Sequence, residues 1–238
     1  MKLYRIRFQT SELQPPPYAH AIEIKIELSK EKLKYEFELS YLDRDQLTEE
    51  EILEEGFSID DSLHLRGALG QNWANNFENI LRKTEKTFPT ELQESEDFWE
   101  IMFEKEAFYP KNVKQWKSFI EEFHQAVLEQ NTLERPLEIQ VWRIDPSQTV
   151  KYKFLGSFEK REFKLTSNNR VVENFDFSKL NSFLKDYYSG DFITEKAFES
   201  LPKKQGIHLE FGDGMWYLLG EALLVKPSKI TSWIESHP

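Results

Sequence analysis

Asn112-Val-Lys-Gln-Trp-Lys-Ser-Phe-Ile-Glu-Glu-Phe-His-Gln-Ala-Val-Leu-Glu-Gln-Asn131 is the stretch on which the architecture turns. Its apolar residues Val113, Trp116, Phe119, Ile120, Phe123, Val127 and Leu128 recur at steps of three and four. That spacing puts all seven on one stripe of an α-helix. Asn112 stands where an N-cap belongs, and Lys117 with Glu121 forms an i,i+4 pair on the solvent side. Strand patterns rich in aromatic residues lie on either side, at 98–104 and 137–144. The expectation is therefore a helix shared by the cores of two flanking halves. A strand, a helix and a strand also have the length for a right-handed crossover, if the two strands share a sheet. His124 borders the stripe and reads as a boundary residue, not as a catalytic base.

Upstream of the helix, residues 2–8, 20–28 and 33–41 alternate as three antiparallel strands. The turn Ser29-Lys-Glu-Lys32 sets a register in which paired numbers sum to 61, so Ile24 faces Phe37 and Lys25 faces Glu36. The same register puts Glu23 opposite Glu38, a pair that could serve a metal or acid/base site. Arg5 or Arg7 has the parity to lie beside Glu23 and neutralise it. Pro15-Pro-Pro17 reads as a stiff, polyproline-like connection. Residues 62–66 form a short strand. Trp73, Phe77, Ile80, Leu81 and Thr84 mark a second amphipathic helix over 72–86, and 98–104, apolar on both faces, suggests an interior strand.

Residues 43–61 hold nine acids, Asp43, Asp45, Glu49, Glu50, Glu51, Glu54, Glu55, Asp60 and Asp61, against the one base Arg44. Helix capping explains part of this. Thr48 is an N-cap, Glu51 completes a capping box, Leu47 staples to Ile52, and Gly56 stops the helix. Glu49 to Glu51 face the positive end of the helix dipole, but Glu54 and Glu55 sit at the negative end. Asp43, Asp45, Glu54, Glu55, Asp60 and Asp61 remain as candidate partner-binding residues. An EF-hand reading fails because Leu47 and Thr48 stand where an oxygen ligand and a glycine are needed.

Downstream, strands are expected at 137–144, 150–156 and 158–166, with a turn over 167–170 into 171–175. Ser178 caps a helix over 179–188 with Leu180, Phe183, Leu184 and Tyr187 inward. A short helix follows at 195–200, stopped by Pro202. A hairpin joins 207–211 to 215–219 through Gly212-Asp-Gly214, and Ser228 caps a last helix carrying Ile230, Trp233 and Ile234. The fold class is α+β, with antiparallel meander sheets and amphipathic helices packed on one face. The order of elements hints at two similar βββ-α-β-α halves, 1–131 and 132–238, unless both share helix 112–130 as one unit.

Composition limits the function classes. The 238 residues carry 31% charged and 14% aromatic side chains, no cysteine, and no apolar run long enough to span a bilayer. No disulfide framework or thiol chemistry is available, and a cytoplasmic address is the expectation. The start alternates with Arg5 and Arg7 inside it and reads as a strand, not a signal peptide. Residues 1–131 hold 16 Lys and Arg against 27 Asp and Glu, so the whole net charge of −11 falls there. That opposes nucleic acid as a partner of this half and suits a basic protein.

No glycine-rich phosphate loop, nucleophile elbow or metal-ligand spacing occurs, so no cofactor is expected. One catalytic constellation is worth weighing: His208 and Glu210 lie two apart on a strand, and Tyr217 on the partner strand could join them for acid/base work. A polar sheet face explains the three equally well. Lys151-Tyr-Lys-Phe154 and 158–164 interleave bases with rings as single-strand nucleic-acid platforms do. Alternation instead sends Tyr152 and Phe154 to the core. The leading expectation is a non-enzymatic binding protein whose acidic surface meets a basic partner, like immunity-type inhibitors by class analogy only. The alternatives are an enzyme using His208, Glu210 and Tyr217, and a homo-oligomer built through an aromatic patch.

Overall fold

The alternating segments at the start become β1 (Lys2–Gln9), β2 (His20–Leu28) and β3 (Leu33–Tyr41) in a computed structural model of the chain. The structure describes residues 2–88, 91–167, 170–200 and 202–224. The helix expected after Ser228, with Ile230, Trp233 and Ile234, lies outside these residues, as does the side chain of Tyr187. The β2–β3 register is the one the turn dictates, Ile24 facing Phe37 and Glu23 facing Glu38. A short helix, α1 (Glu49–Glu54), leads to β4 (Leu63–Leu69), which extends the meander by pairing with β3. The chain then forms α2 (Gln71–Lys83), β5 (Lys86–Thr87), β6 (Phe98–Phe103), β7 (Glu106–Pro110) and α3 (Val113–Gln130). Helix α2 stops three residues short of the expected 86 because Lys86 and Thr87 pair with β7.

The seven strands form one antiparallel sheet in the order β4-β3-β2-β1-β6-β7-β5. One face is apolar and both long helices cover it. Phe123 of α3 meets the rings of Tyr35, Phe37 and Trp73, and Phe77 of α2 meets Tyr4 and Trp116. Trp73, Phe77, Trp116, Phe123 and Val127 are fully buried. The stripe read from the sequence is therefore the buried face. Asn112 holds the N-cap position but its amide donates to Gln115 instead of capping, and Lys117 reaches Asp97 at 3.1 Å. At the other end Thr132, at φ +59, closes the helix: its N–H donates to Glu129 and that of Leu133 to Leu128. The last turn also runs close over β4. A Cβ on Gly67 would collide with the Gln130 and Tyr35 side-chain oxygens, so a larger residue there would have to displace both side-chain ends.

After α3 come β8 (Leu137–Ile144), β9 (Thr149–Ser157), β10 (Glu162–Ser167), β11 (Arg170–Phe175) and α4 (Leu180–Tyr188). Then follow β12 (Asp191–Phe192), β13 (Gly206–Glu210), β14 (Tyr217–Leu218) and β15 (Leu223–Leu224). Six of them form a second sheet, β11-β10-β9-β8-β13-β14, and β12 pairs with β15. Its core gathers Ile139, Val141, Tyr152, Phe154, Phe163, Leu165, Leu180 and Leu209, with Phe183 and Leu184 of α4 packed against them. The chain divides into two compact units, Met1–Glu134 and Arg135–Pro238.

Both sheets follow one plan. Each starts with a four-strand meander, passes through a helix and a two-residue strand (β5 or β12), lays the following strand antiparallel against its own first strand, and adds one more by a hairpin. With α1 and the two-residue strands set aside, the shared order is ββββ-α-β-β, which has a fourth meander strand and a hairpin strand that the expected βββ-α-β-α order lacks.

Several expectations are corrected. Strands 98–104 and 137–144 lie in different sheets, so no crossover is made. The reason is β7, which turns back from β6 through Glu104-Lys105, with Glu104 at φ +56. Pro15-Pro-Pro17 is not extended, because the Tyr18 and Ala19 N–H groups both donate to Pro15 O and fold the segment into a turn. Phe158 does not begin a strand: residues 158–161 turn, with Arg161 at φ +52. The cap before α4 is Asp176, whose carboxylate accepts from Ser178 N, and a 3-10 turn, Phe177–Lys179, intervenes. Segment 195–200 gives only the 3-10 turn Thr194–Lys196, because Phe198 is held extended by two backbone bonds to Trp216.

Candidate functional site

The β13–β14 hairpin separates the three residues of the expected acid/base site. His208 pairs with Leu218, and Leu209 with Tyr217, so Tyr217 lies on the opposite face from His208 and Glu210. Each has a structural task. His208 is fully buried, and its Nε2 lies 2.9 Å from Lys204 O. A carbonyl only accepts, so Nε2 carries the proton and the buried Nδ1 has no partner. Glu210 accepts from the Gly212 and Gly214 N–H groups at 2.6 and 3.0 Å, and from Gln140 at 3.2 Å. Tyr217 donates to Asp213 at 2.8 Å and packs in the second core. The rings of the expected nucleic-acid platform, Tyr152 and Phe154, are likewise buried in that core.

Burial lowers the pKa of His208, and also that of His124, whose ring stacks on Phe37 and whose Nε2 is buried without a partner. A histidine held below its unfolded value, near 6.5, leaves the unfolded chain binding the extra proton as pH falls. Stability from these two groups is complete above about pH 6.5 and declines below it. The urea midpoint is expected to drop between pH 7.5 and 5.5, and His208→Leu to flatten that slope. The carboxylates whose pKa is lowered, Glu23, Glu36, Glu51, Asp61 and Asp176, act only below about 4.5 and do not contribute in this window. A wild-type midpoint constant over the window would refute the assignment.

The acids of the first unit fall into two sets. One lies on the uncovered face of the first sheet, where every carboxylate has a cation. Glu23 takes Arg5 at 2.5 Å and Arg7 at 3.3 Å, Glu100 takes Arg7 at 3.2 Å, and Glu27 takes Lys34 at 3.1 Å. Glu36 binds Arg66 at 2.7 Å and His64 at 3.0 Å, which hold its carboxyl down at about 2. Lys25 reaches Glu36 and Glu38 at 3.7 and 3.9 Å. Glu36, Glu38 and His64 stand close enough together to ligate one ion, but Arg66 and Lys25 already occupy those oxygens. The Glu23–Glu38 juxtaposition is a neutralised ladder.

The other set is segment 43–61, and its backbone is held firmly. Thr48 and Glu51 form the capping box. Gly56, at φ +80, stops α1, its N–H donating to Leu53 and that of Phe57 to Ile52. The Arg44 guanidinium lies 3.7 Å from the Tyr41 ring centroid and 4.8 Å from that of Phe57. It donates to Ser58 O at 2.7 Å and to Asp61 at 3.2 and 3.3 Å. Burial raises the Asp61 pKa, but the Ser58 and Arg44 hydrogen bonds outweigh it and the net shift is downward. Glu55 accepts from the Tyr18 hydroxyl. Of the six candidate partner-binding residues, Glu55 and Asp61 are therefore engaged within the fold. Asp43, Asp45, Glu54 and Asp60 are exposed and have no side-chain partner among the described residues. Glu49 and Glu50, which the sequence assigned to the helix dipole, are equally exposed and have no side-chain partner among the described residues.

Beside this segment is a feature the sequence did not suggest. A cavity of about 390 Å³ is walled by Phe8, Tyr18, Tyr41, Phe57, Trp99 and His124, with Lys117 and Glu121 of α3 also lining it. Phe57 follows directly on the stop of α1 and packs edge-on against Tyr18 and Tyr41. Its walls come from β1, β2, β3, β6, α3 and two loops, so no local pattern could have announced it. No protein-family model, curated protein or solved structure matches the chain.

Proposed function

We propose that the protein is a non-enzymatic binding module whose acidic segment 43–61 meets a basic protein partner. The observation that carries this reading is the contrast between the two acidic sets. On the sheet face, carboxylates are matched one for one by Arg and Lys. On segment 43–61, Asp43, Asp45, Glu49, Glu50, Glu54 and Asp60 project from a pinned backbone with no side-chain partner among the described residues. Uncompensated like charges on a rigid support repel one another, and a cationic surface relieves that repulsion while the field steers its approach. The test replaces the six with Asn and Gln and measures binding of a polylysine probe at low salt. The affinity is expected to fall about tenfold or more and to lose its salt dependence. A control that neutralises Glu27 and Glu38 of the ladder should leave it nearly unchanged. Equal loss in both variants, or in neither, would overturn the reading.

A second reading, self-association, has an observation of its own. Phe88, Leu92 and Phe98 are exposed and border one shallow concavity of the first unit. A dimer mass in solution that reverts to monomer on Phe98→Ser supports it, and a monomer at high concentration removes it.

A further inference from the structure

The cavity beside segment 43–61 has a size, a wall chemistry and a charge that together select one kind of occupant. At about 390 Å³ it is near the lower end of small-ligand pockets and has room for one long side chain with water around it. Five of its fourteen lining residues are Phe, Tyr or Trp, and the faces of such rings attract cations. Its lining carries one Lys and one Glu, with the Lys117 ammonium 6.0 Å from the Phe8 ring centroid. Lys117 is neutralised by Asp97 at 3.1 Å, and burial keeps His124 uncharged at neutral pH. Glu121 is exposed and has no side-chain partner among the described residues, so it is the net charge at the mouth. His20 Nδ1 lies 2.8 Å from Tyr18 O, which fixes Nδ1 as the donor.

The protein already binds one guanidinium with the same parts. Arg44 is held against Tyr41 and Phe57 with Asp61 as counter-ion. The cavity is lined by Tyr18 and Trp99 as well as those two rings, and by one exposed carboxylate, Glu121, available as a counter-ion. We infer that this cavity is the anchor pocket for an arginine side chain of the basic partner. The inference rests on the reading of segment 43–61 as a partner-binding surface, and gives that surface a point of specificity that exposed carboxylates lack. Arginine is favoured over lysine because its planar, weakly hydrated cation stacks on rings and donates in a fork to a carboxylate.

The test uses the full chain and NMR of the Trp99 indole and the His20 and His124 rings. Probes are the N-acetyl methylamides of arginine, lysine and norleucine. Saturable shifts at these three residues are expected with the arginine probe, weaker ones with lysine and none with norleucine. Glu121→Gln should weaken the arginine probe by about tenfold. Norleucine binding as well as arginine would show an apolar pocket, and no shift with arginine would remove the site; either overturns the inference. The six-residue Asn/Gln variant separates the two proposals. If it loses polylysine but retains the arginine shifts, both stand. If polylysine binding is unaffected while the arginine shifts persist, the acidic-segment reading falls and the cation pocket remains. A lysine-rich peptide carrying one arginine should bind more tightly than its all-lysine counterpart, with the gain abolished by Glu121→Gln. Methylguanidinium binding as tightly as that peptide would identify a free small cation, and would overturn the assignment to a partner's side chain.

Discussion

Replacing Phe123 with alanine is expected to lower stability by about 3–5 kcal/mol, the largest single-residue effect we foresee in the first unit. The ring is fully buried. It lies 5.3 Å from Trp73, 5.5 Å from Tyr35, 5.7 Å from Phe119 and 6.4 Å from Phe37. Those neighbours come from α2, β3 and α3, so the void would open where the helices meet the sheet, and rigid rings collapse poorly into a gap. Urea denaturation measures the loss, and limited proteolysis locates it. The rings that meet Phe123 all belong to Met1–Glu134, so early cleavage is expected within that unit while 135–224 stays protected. Cleavage in both units at once would instead support the shared core that the sequence suggests. A loss under about 1 kcal/mol would contradict the packing described for α3.

Glu210→Ala is the second large effect, about 1.5–3 kcal/mol in the unit Arg135–Pro238. One carboxylate oxygen accepts from the N–H groups of Gly212 and Gly214, and the other from Gln140. Both glycines hold positive φ, +93 and +77, a geometry that points their N–H groups inward at Glu210. Alanine would remove all three hydrogen bonds at once, leaving the Gly212 and Gly214 donors of the exposed turn to water and the Gln140 amide without its acceptor. Glu210→Gln keeps one acceptor oxygen and is expected to recover about half of the loss, with faster hydrogen exchange at Gly212 and Gly214 in proportion. Were Glu210→Ala as stable as the parent, the carboxylate would be dispensable to the turn, and a chemical role for it would have to be considered again.

Much of the fold is legible because its signals are local. Strict alternation over 20–28 and 33–41, joined by a four-residue turn, admits one register, and the structure has it. The capping box at Thr48 and the stop at Gly56 are short-range hydrogen-bond patterns and are found as read. The stripe of α3 is buried as its spacing requires. Failures occur where a distant partner outweighs local preference. Segment 106–110, with Glu106 at its start and Pro110 at its end, has weak strand character alone, and pairing with β6 and β5 makes it one. Segment 195–200 looks helical until Trp216 captures Phe198.

The same division governs the candidate site. His208, Glu210 and Tyr217 were grouped by closeness in sequence, and a register in which Leu209, not His208, faces Tyr217 puts them on two faces. Similarly, a count of acids cannot show which ones are already paired. Glu55 and Asp61 are engaged by Tyr18 and Arg44, from 37 and 17 residues away, whereas Glu49 and Glu50 are left to solvent.

By itself the sequence determined what periodicity and turn chemistry determine: the class α+β, the first meander, the long amphipathic helix and the placement of all net charge before residue 132. Only the tertiary structure decided the strand order shared by the two units, the split between compensated and open carboxylates, and the aromatic cavity. The physical reason is range. Backbone alternation and capping act over a few residues, whereas strand order, ion pairing and a pocket's walls depend on groups brought together from far along the chain, Phe8, Tyr41, Trp99 and Glu121 among them.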